Sequence, residues 1–144
     1  MNKYGYIDRF RKLGMGLFVH FGLYSILGKG EWYLRLNPKA DAESYGALKH
    51  RLRVRKNWVK ELIKTAKEAG ARYVTLTTRH HDGFSLYDTR GLNDYDAPHS
   101  ACGRDLIAEF ADACREGGLV PFFYHTLLDW NHPAYQKDFP VYID

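Results

Sequence analysis

Three short apolar runs punctuate the chain, and none of them alternates strictly between apolar and polar residues. They are Leu17-Phe18-Val19, residues 73–77, and Leu119-Val120-Pro121-Phe122-Phe123-Tyr124. Runs of this length suit strands that are covered on both faces. Pro121 lacks a ladder N–H, so it sits awkwardly in the N-terminal half of the third strand. Between the runs the spacing changes to that of helices. Over residues 57–69 the apolar positions Trp58, Val59, Leu62, Ile63, Ala66 and Ala69 form one stripe. Asn57 is the expected N-cap, and Gly70 the expected glycine just past the C-terminus. Over residues 104–116 the stripe is Leu106, Ile107, Phe110, Ala113 and Cys114, and Gly117-Gly118 ends it. A weaker helix is expected over residues 42–53, with Gly46 working against it.

The order is strand, long insertion, helix, strand, long loop, helix, strand. That order predicts an α/β protein with parallel strands. The segments after the first two strands are long, and the helix-to-strand turns are short. In (β/α) barrels the long, functional loops follow the strands. There is no internal repeat and no low-complexity segment.

Polar and aromatic groups gather behind each strand. His20 follows the first, and then Gly30-Glu31-Trp32-Tyr33. His80, His81 and Asp82 follow the second; Tyr124, His125 and then Asp129-Trp130 come with the third. Adjacent residues on a strand point to opposite faces. His80 and His81 therefore serve one place only if the strand has ended and the chain turns there. Imidazole N–H groups are directional donors to hydroxyls. Trp and Tyr offer apolar faces to a sugar ring, and Glu31 is either an acceptor or a general acid. Such a set suits a polyhydroxylated ligand. Its rival is a metal site, but adjacent histidines chelate one ion poorly and an H-x-H spacing is missing, so no metal is expected. Plainer roles stand beside these: a backbone hydrogen bond for His20, a core position for Trp32, a turn for Asp82-Gly83 and a helix cap for Asp129. His50, His99 and His132 lie in polar or turn-like surroundings and are expected to have no role.

Composition narrows the picture further. A chain of 144 residues is the size of one domain, spanning 1–144, and can bury roughly 70% of its unfolded surface. Aromatics make up 15%, with 11 tyrosines, which fits a sugar cleft as well as core and rim. The net charge of +4 is concentrated in the run at residues 49–56. Directly before a helix pattern, that run reads as a solvated face rather than a nucleic-acid footprint. Two cysteines make no disulfide framework. The first residues lack an apolar signal region, and no apolar run approaches the ~20 residues of a membrane span. The expectation is a cytoplasmic chain with no nucleic-acid or membrane partner.

The blocks Gly16-Leu17-Phe18-Val19-His20-Phe21-Gly22-Leu23-Tyr24-Ser25 and Gly30-Glu31-Trp32-Tyr33 match a known pattern. So do Ala69-Gly70-Ala71-Arg72-Tyr73, His80-His81-Asp82-Gly83-Phe84, Gly103-Arg104-Asp105-Leu106, and Tyr124 through Asp129-Trp130. In that order they resemble the start of the catalytic barrel of glycoside hydrolase family 29, the α-L-fucosidases. Phe21 departs from the Trp usual in the family. The resemblance implies the N-terminal portion of a TIM-like (β/α) barrel. It implies a retaining exo-glycosidase that removes terminal α-L-fucose from glycoconjugates without a cofactor. It places His20, His80 and His81 on fucose hydroxyls, with Glu31, Trp32 and Tyr124 in the same pocket and the apolar faces against the fucose methyl. It also offers Glu31 for the acid/base role.

A retaining mechanism needs a second carboxylate about 5–5.5 Å from the first. In the family this nucleophile is an Asp on the strand after the one bearing Tyr124. No Asp in this sequence matches it, and Asp129 matches a neighbouring position. A whole barrel takes about 250 residues. The expectation is therefore a partial catalytic domain, ending before the nucleophile strand and inactive as this chain alone. Its substrate would be a fucosylated glycan. Self-association or a complementing C-terminal chain would cover the open sheet. A non-catalytic sugar-binding or complementing fragment remains an alternative, as does a metal-dependent barrel hydrolase.

Overall fold

Val74 and Leu76 point to one face of the middle strand, and both are fully buried. The residues that bury them come from two amphipathic helices, and this packing sets the architecture. The structure, a computed structural model, describes residues 4–135 and 137–143. In chain order the elements are helix α1 (Gly5–Leu13), strand β1 (Gly16–Val19) and the short helices α2 (Tyr24–Leu27), α3 (Tyr33–Leu36) and α4 (Ala42–Gly46). A 3₁₀ turn over Ala47–Arg51 leads to helix α5 (Trp58–Glu68) and strand β2 (Tyr73–Arg79). Helix α6 (Leu106–Gly117), strand β3 (Val120–His125) and helix α7 (Phe139–Ile143) follow. The three strands form one parallel sheet in the order β1-β2-β3. The predicted strands and the two principal helices are present to within two residues at each end. Among the described residues, no helix is long and apolar enough to cross a membrane.

The register pairs Gly16 with Tyr73, Phe18 with Thr75, Tyr73 with Val120 and Thr75 with Phe122. Side chains alternate along a strand, so Leu17, Val19, Val74 and Leu76 share the outer face. There they meet Val59, Ile63 and Ala66 of α5 and Phe110 and Cys114 of α6 in one core. Phe110 is fully buried, and burying such a side chain contributes about 1.5–3 kcal/mol. Pro121 is accommodated opposite Val74 near the start of β3, which is an edge strand of this sheet.

The inner face holds Gly16, Phe18, Tyr73, Thr75, Phe122 and Tyr124. Helix α1 lies across its N-terminal end, where Phe10 meets Tyr73 and Phe122, each with ring centroids 5.6 Å apart. The sequence pattern did not reveal this helix, because it lacks a side-chain N-cap and buries no residue fully. An apolar groove of about 980 Å³ remains between α1 and the sheet. Phe18 on the inner face and Phe123 on the outer face are each about half exposed, and both outer strands have a free edge among the described residues.

The two long connections are ordered around a second core. Leu23, Tyr24, Tyr45, Leu48 and Leu52 follow β1; Phe84, Leu86 and Ala97 follow β2; these pack together with Leu106. Inside the second connection, the Asp96 carboxylate accepts from the Thr89 hydroxyl at 2.8 Å and the His99 amide at 2.9 Å. His99 also sets its Nδ1 2.7 Å from that carboxylate, so its place is in the loop.

Capping differs from expectation in two places. Asn57 precedes α5, but its side chain donates to Glu61 at 2.6 Å instead of accepting from the helix amides. Helix α6 is capped by Asp105, which accepts from the amides of Ile107 at 3.0 Å and Ala108 at 2.8 Å, so it begins at Leu106 and not at 104. The helix expected over 42–53 breaks after Gly46 into the 3₁₀ turn. Gly70 has φ +79° and ends α5 as expected. Part of the basic run is paired locally: Lys49 lies 3.4 Å from Asp94 and Arg55 2.6 Å from Glu61.

Candidate functional site

Strand β2 ends at Arg79, and the turn that follows frees the next two side chains from the alternation of the strand. The Gly83 amide donates to His80 O at 3.0 Å and closes the turn. Gly83 has φ +79°, and a Cβ there would stand 2.2 Å from Asp129 Oδ1. Only glycine meets both conditions. The result is that the His80 and His81 rings lie side by side, with centroids 4.5 Å apart.

The other strand ends converge on them. His20, just past β1, has its ring 5.5 Å from His80 and 6.1 Å from Tyr124. Tyr124 stacks on His80 at 5.9 Å. Trp32 leans edge-on against His81 at 5.4 Å and His80 at 6.5 Å. Glu31 is half-buried, and its charge acts on both His80 and Tyr24. The structure thus brings His20, Trp32, His80, His81 and Tyr124 together, with Glu31 near enough for its charge to act on His80.

Three further residues contribute, and of these the sequence places only Trp130 behind a strand end. Trp130 packs 5.1 Å from His81 and 5.2 Å from Trp32, closing an aromatic rim. The signal for it was its place directly after Asp129, behind β3. Tyr24 faces His80 at 5.8 Å. Thr126 touches His81 through its hydroxyl at 2.6 Å; a lone threonine carries no sequence signal for that.

Support for these groups is polar and buried. Thr77 Oγ1 accepts from the Phe21 amide and donates to the Phe21 carbonyl, both at 3.0 Å, which ties the end of β1 to β2. Arg79 pairs with Asp129, and the Trp130 amide donates to His81 O at 2.7 Å. Asp129 is thus a loop tether, and its Oδ1 accepts from the Asn131 amide at 2.9 Å. Asp82 is almost wholly buried; its Oδ2 accepts from Tyr45 Oη at 2.6 Å and its Oδ1 from the Phe84 amide at 3.3 Å. Burial pushes its carboxyl up to about 6, against the opposing pull of the Tyr45 hydrogen bond. Asp82-Gly83 is therefore a turn with a buried anchor.

Burial favours the neutral forms of His80 and His81. Burial, and then the neighbouring His81 and His20, bring His80 down to about 4. Burial also lowers His81. His80 Nδ1 is buried without a hydrogen-bond partner, a condition that proteins rarely leave unanswered. Among the described residues, no group of three or more His, Cys, Asp or Glu side chains is arranged to hold a metal ion. The arrangement can hold a small polyhydroxylated molecule: neutral N–H and N groups toward its hydroxyls, aromatic faces toward its C–H surface, and one carboxylate at the rim.

Known proteins resemble this chain over most of its length. The family model described as α-L-fucosidase matches residues 1–141. The chain is 28% identical to an α-L-fucosidase of Dictyostelium discoideum, over 85% of this chain and 31% of that protein. It superposes with a TM-score of 0.81 on the crystal structure of a family 29 α-L-fucosidase from Bacteroides thetaiotaomicron, at 32% identity, covering 90% of this chain and 31% of that one. An α-L-fucosidase from Lactobacillus casei in complex with its α-L-fucose product gives a TM-score of 0.80 at 29% identity, covering 90% and 43%. The chain spans about a third of the length of the curated relatives that it matches.

Proposed function

The chain belongs to the α-L-fucosidase family, and from that premise we propose that it forms the sugar-gripping part of a retaining α-L-fucosidase site. The observation that carries the reading is the convergence of His20, His80, His81, Trp32 and Tyr124 at one end of three parallel strands. His20, His80 and His81 hold the ring hydroxyls of a terminal α-L-fucose on a glycoconjugate. Trp32 and Tyr124 shape the walls and receive the apolar face of the 6-deoxy sugar. Glu31 is the candidate acid/base. The three strands are the first part of a TIM-like (β/α) barrel, with residues 1–144 as part of its catalytic domain. Its remaining strands cover the apolar inner face, whether they come from further sequence or from a complementing chain. They also bring the nucleophilic carboxylate, about 5–5.5 Å from the acid/base as retention requires. Hydrogen bonds that tighten as the ring flattens toward the oxocarbenium-like transition state favour turnover as well as binding.

The test is turnover of an aryl α-L-fucoside. The 144-residue chain alone is expected to show none. The same residues joined to, or mixed with, the remaining part of a family barrel should hydrolyse it, and His80→Ala or His81→Ala should remove most of that activity. Robust hydrolysis by the chain alone would mean that the nucleophile lies among Asp82, Asp129 and Glu31, and the assignment of roles would fall.

A further inference from the structure

The Thr126 side chain is buried where β3 ends. Two polar groups reach its oxygen: the Leu128 amide donates to it at 3.1 Å, and His81 Nδ1 lies 2.6 Å away. An amide N–H can only donate, so it occupies one lone pair of the hydroxyl oxygen. The hydroxyl proton then needs an acceptor, and among the described residues His81 Nδ1 is the one within reach. A proton on Nδ1 would leave two donors facing one hydroxyl, whose own proton would be buried without a partner. Buried polar groups in folded proteins rarely stay in that state. The hydroxyl therefore donates to Nδ1, and the single proton of neutral His81 resides on Nε2.

The main chain holds both partners in register. The Thr126 amide donates to Arg79 O at 3.3 Å, and the Trp130 amide to His81 O at 2.7 Å. Trp32 and Trp130 flank the imidazole. Nε2 is across the ring from Nδ1 and has no hydrogen-bond partner among the described residues.

We propose that Thr126 is a positioning residue that fixes both the orientation and the tautomer of His81, so that Nε2–H is presented as a committed donor to a sugar hydroxyl. The assignment of the sugar rests on the reading of His81 as a fucose contact; the tautomer does not. A committed donor favours an acceptor at that place and disfavours a ligand that could only donate there.

The chain carrying ¹⁵N-labelled histidine separates the two parts. Long-range proton–nitrogen spectra distinguish the two ring nitrogens of His81. Wild type and Thr126→Ser should show Nε2 protonated and Nδ1 shifted upfield as a hydrogen-bond acceptor. Thr126→Val and Thr126→Ala should mix the tautomers and so move the averaged Nε2 signal downfield, away from the fully protonated value; either variant suffices if the other fails to fold. Affinity for α-L-fucose should fall roughly three- to tenfold in both, the worth of one hydrogen bond, and return in Thr126→Ser. A wild-type Nδ1–H, or an Nε2 signal unmoved in the variants, overturns the assignment of Thr126 whatever the sugar does. A wild-type chain blind to fucose with the expected imidazole pattern overturns the sugar contact instead, and the positioning role falls with it.

Discussion

Replacing Tyr45 by Phe removes one hydroxyl from the buried anchor next to the paired histidines. Tyr45 Oη donates to Asp82 Oδ2 at 2.6 Å, and the other bond to that carboxyl is the long 3.3 Å contact from the Phe84 amide. A hydrogen bond to a charged group contributes about 1.5–3 kcal/mol. The loss is capped because Asp82 can protonate. Its carboxyl is already raised to about 6, so at pH 7 taking up a proton costs only ~1.4 kcal/mol. Adding the loss of a neutral hydrogen bond, about 0.5–1.5 kcal/mol, gives a penalty of about 2–3 kcal/mol at pH 7. The variant raises the folded-state value further, because the Tyr45 bond holds it down. Folded variant then keeps its proton to higher pH than folded wild type, while the unfolded chains titrate alike near 3.8. The penalty must therefore grow as pH rises through about 6 and shrink toward about 1 kcal/mol at pH 5. Urea unfolding followed by Trp fluorescence at pH 5 and pH 7.5, at one fixed protein concentration, measures both values. Equal penalties at the two pH values would refute the buried, ionised carboxylate as the reason for the pair.

Other outcomes follow from the same geometry. His80 should stay neutral down to about pH 4; with a folded value depressed below the ordinary 6.5, its contribution to stability is complete above 6.5 and is lost as pH falls toward 4. Imidazole titration by NMR reads this directly, and a midpoint at or above 6.5 would contradict it. Gly83→Ala combines a positive φ with a Cβ 2.2 Å from Asp129, so it should cost about 1–3 kcal/mol and displace the Trp130 loop, visible as a changed near-UV spectrum. Asp105→Ala removes the cap of α6 and should cost about 0.5–2 kcal/mol by denaturant unfolding, whereas Asn57→Ala should cost less, since Asn57 makes no capping bond.

The sheet was legible because each strand is a short apolar run flanked by turn residues, and the helices because Val59, Ile63 and Ala66, or Leu106, Phe110 and Cys114, recur at helical spacing. Helix α1 was not, because its apolar residues Ile7, Phe10 and Leu13 form a stripe only half buried against the inner sheet face. The polar frame of the site was also hidden. Tyr45 and Asp82 are 37 residues apart in sequence, and Thr126 and His81 are 45 apart. Such pairings depend on how two long connections fold on each other, which no local pattern encodes. Asp105 shows the opposite case: an Asp directly before an apolar stripe is an N-cap signal, but a helix over 104–116 places Asp105 inside its first turn.

The central claim is that His20, His80 and His81 grip a fucose ring. Its most direct test is titration of the chain with α-L-fucose while the imidazole signals of all seven histidines are followed. The account predicts saturable shifts at His20, His80 and His81, none at His50, His99 or His132, and a much weaker response to L-galactose, whose added hydroxyl meets the apolar wall. Shifts absent from those three, or the same with D-glucose as with fucose, would contradict it.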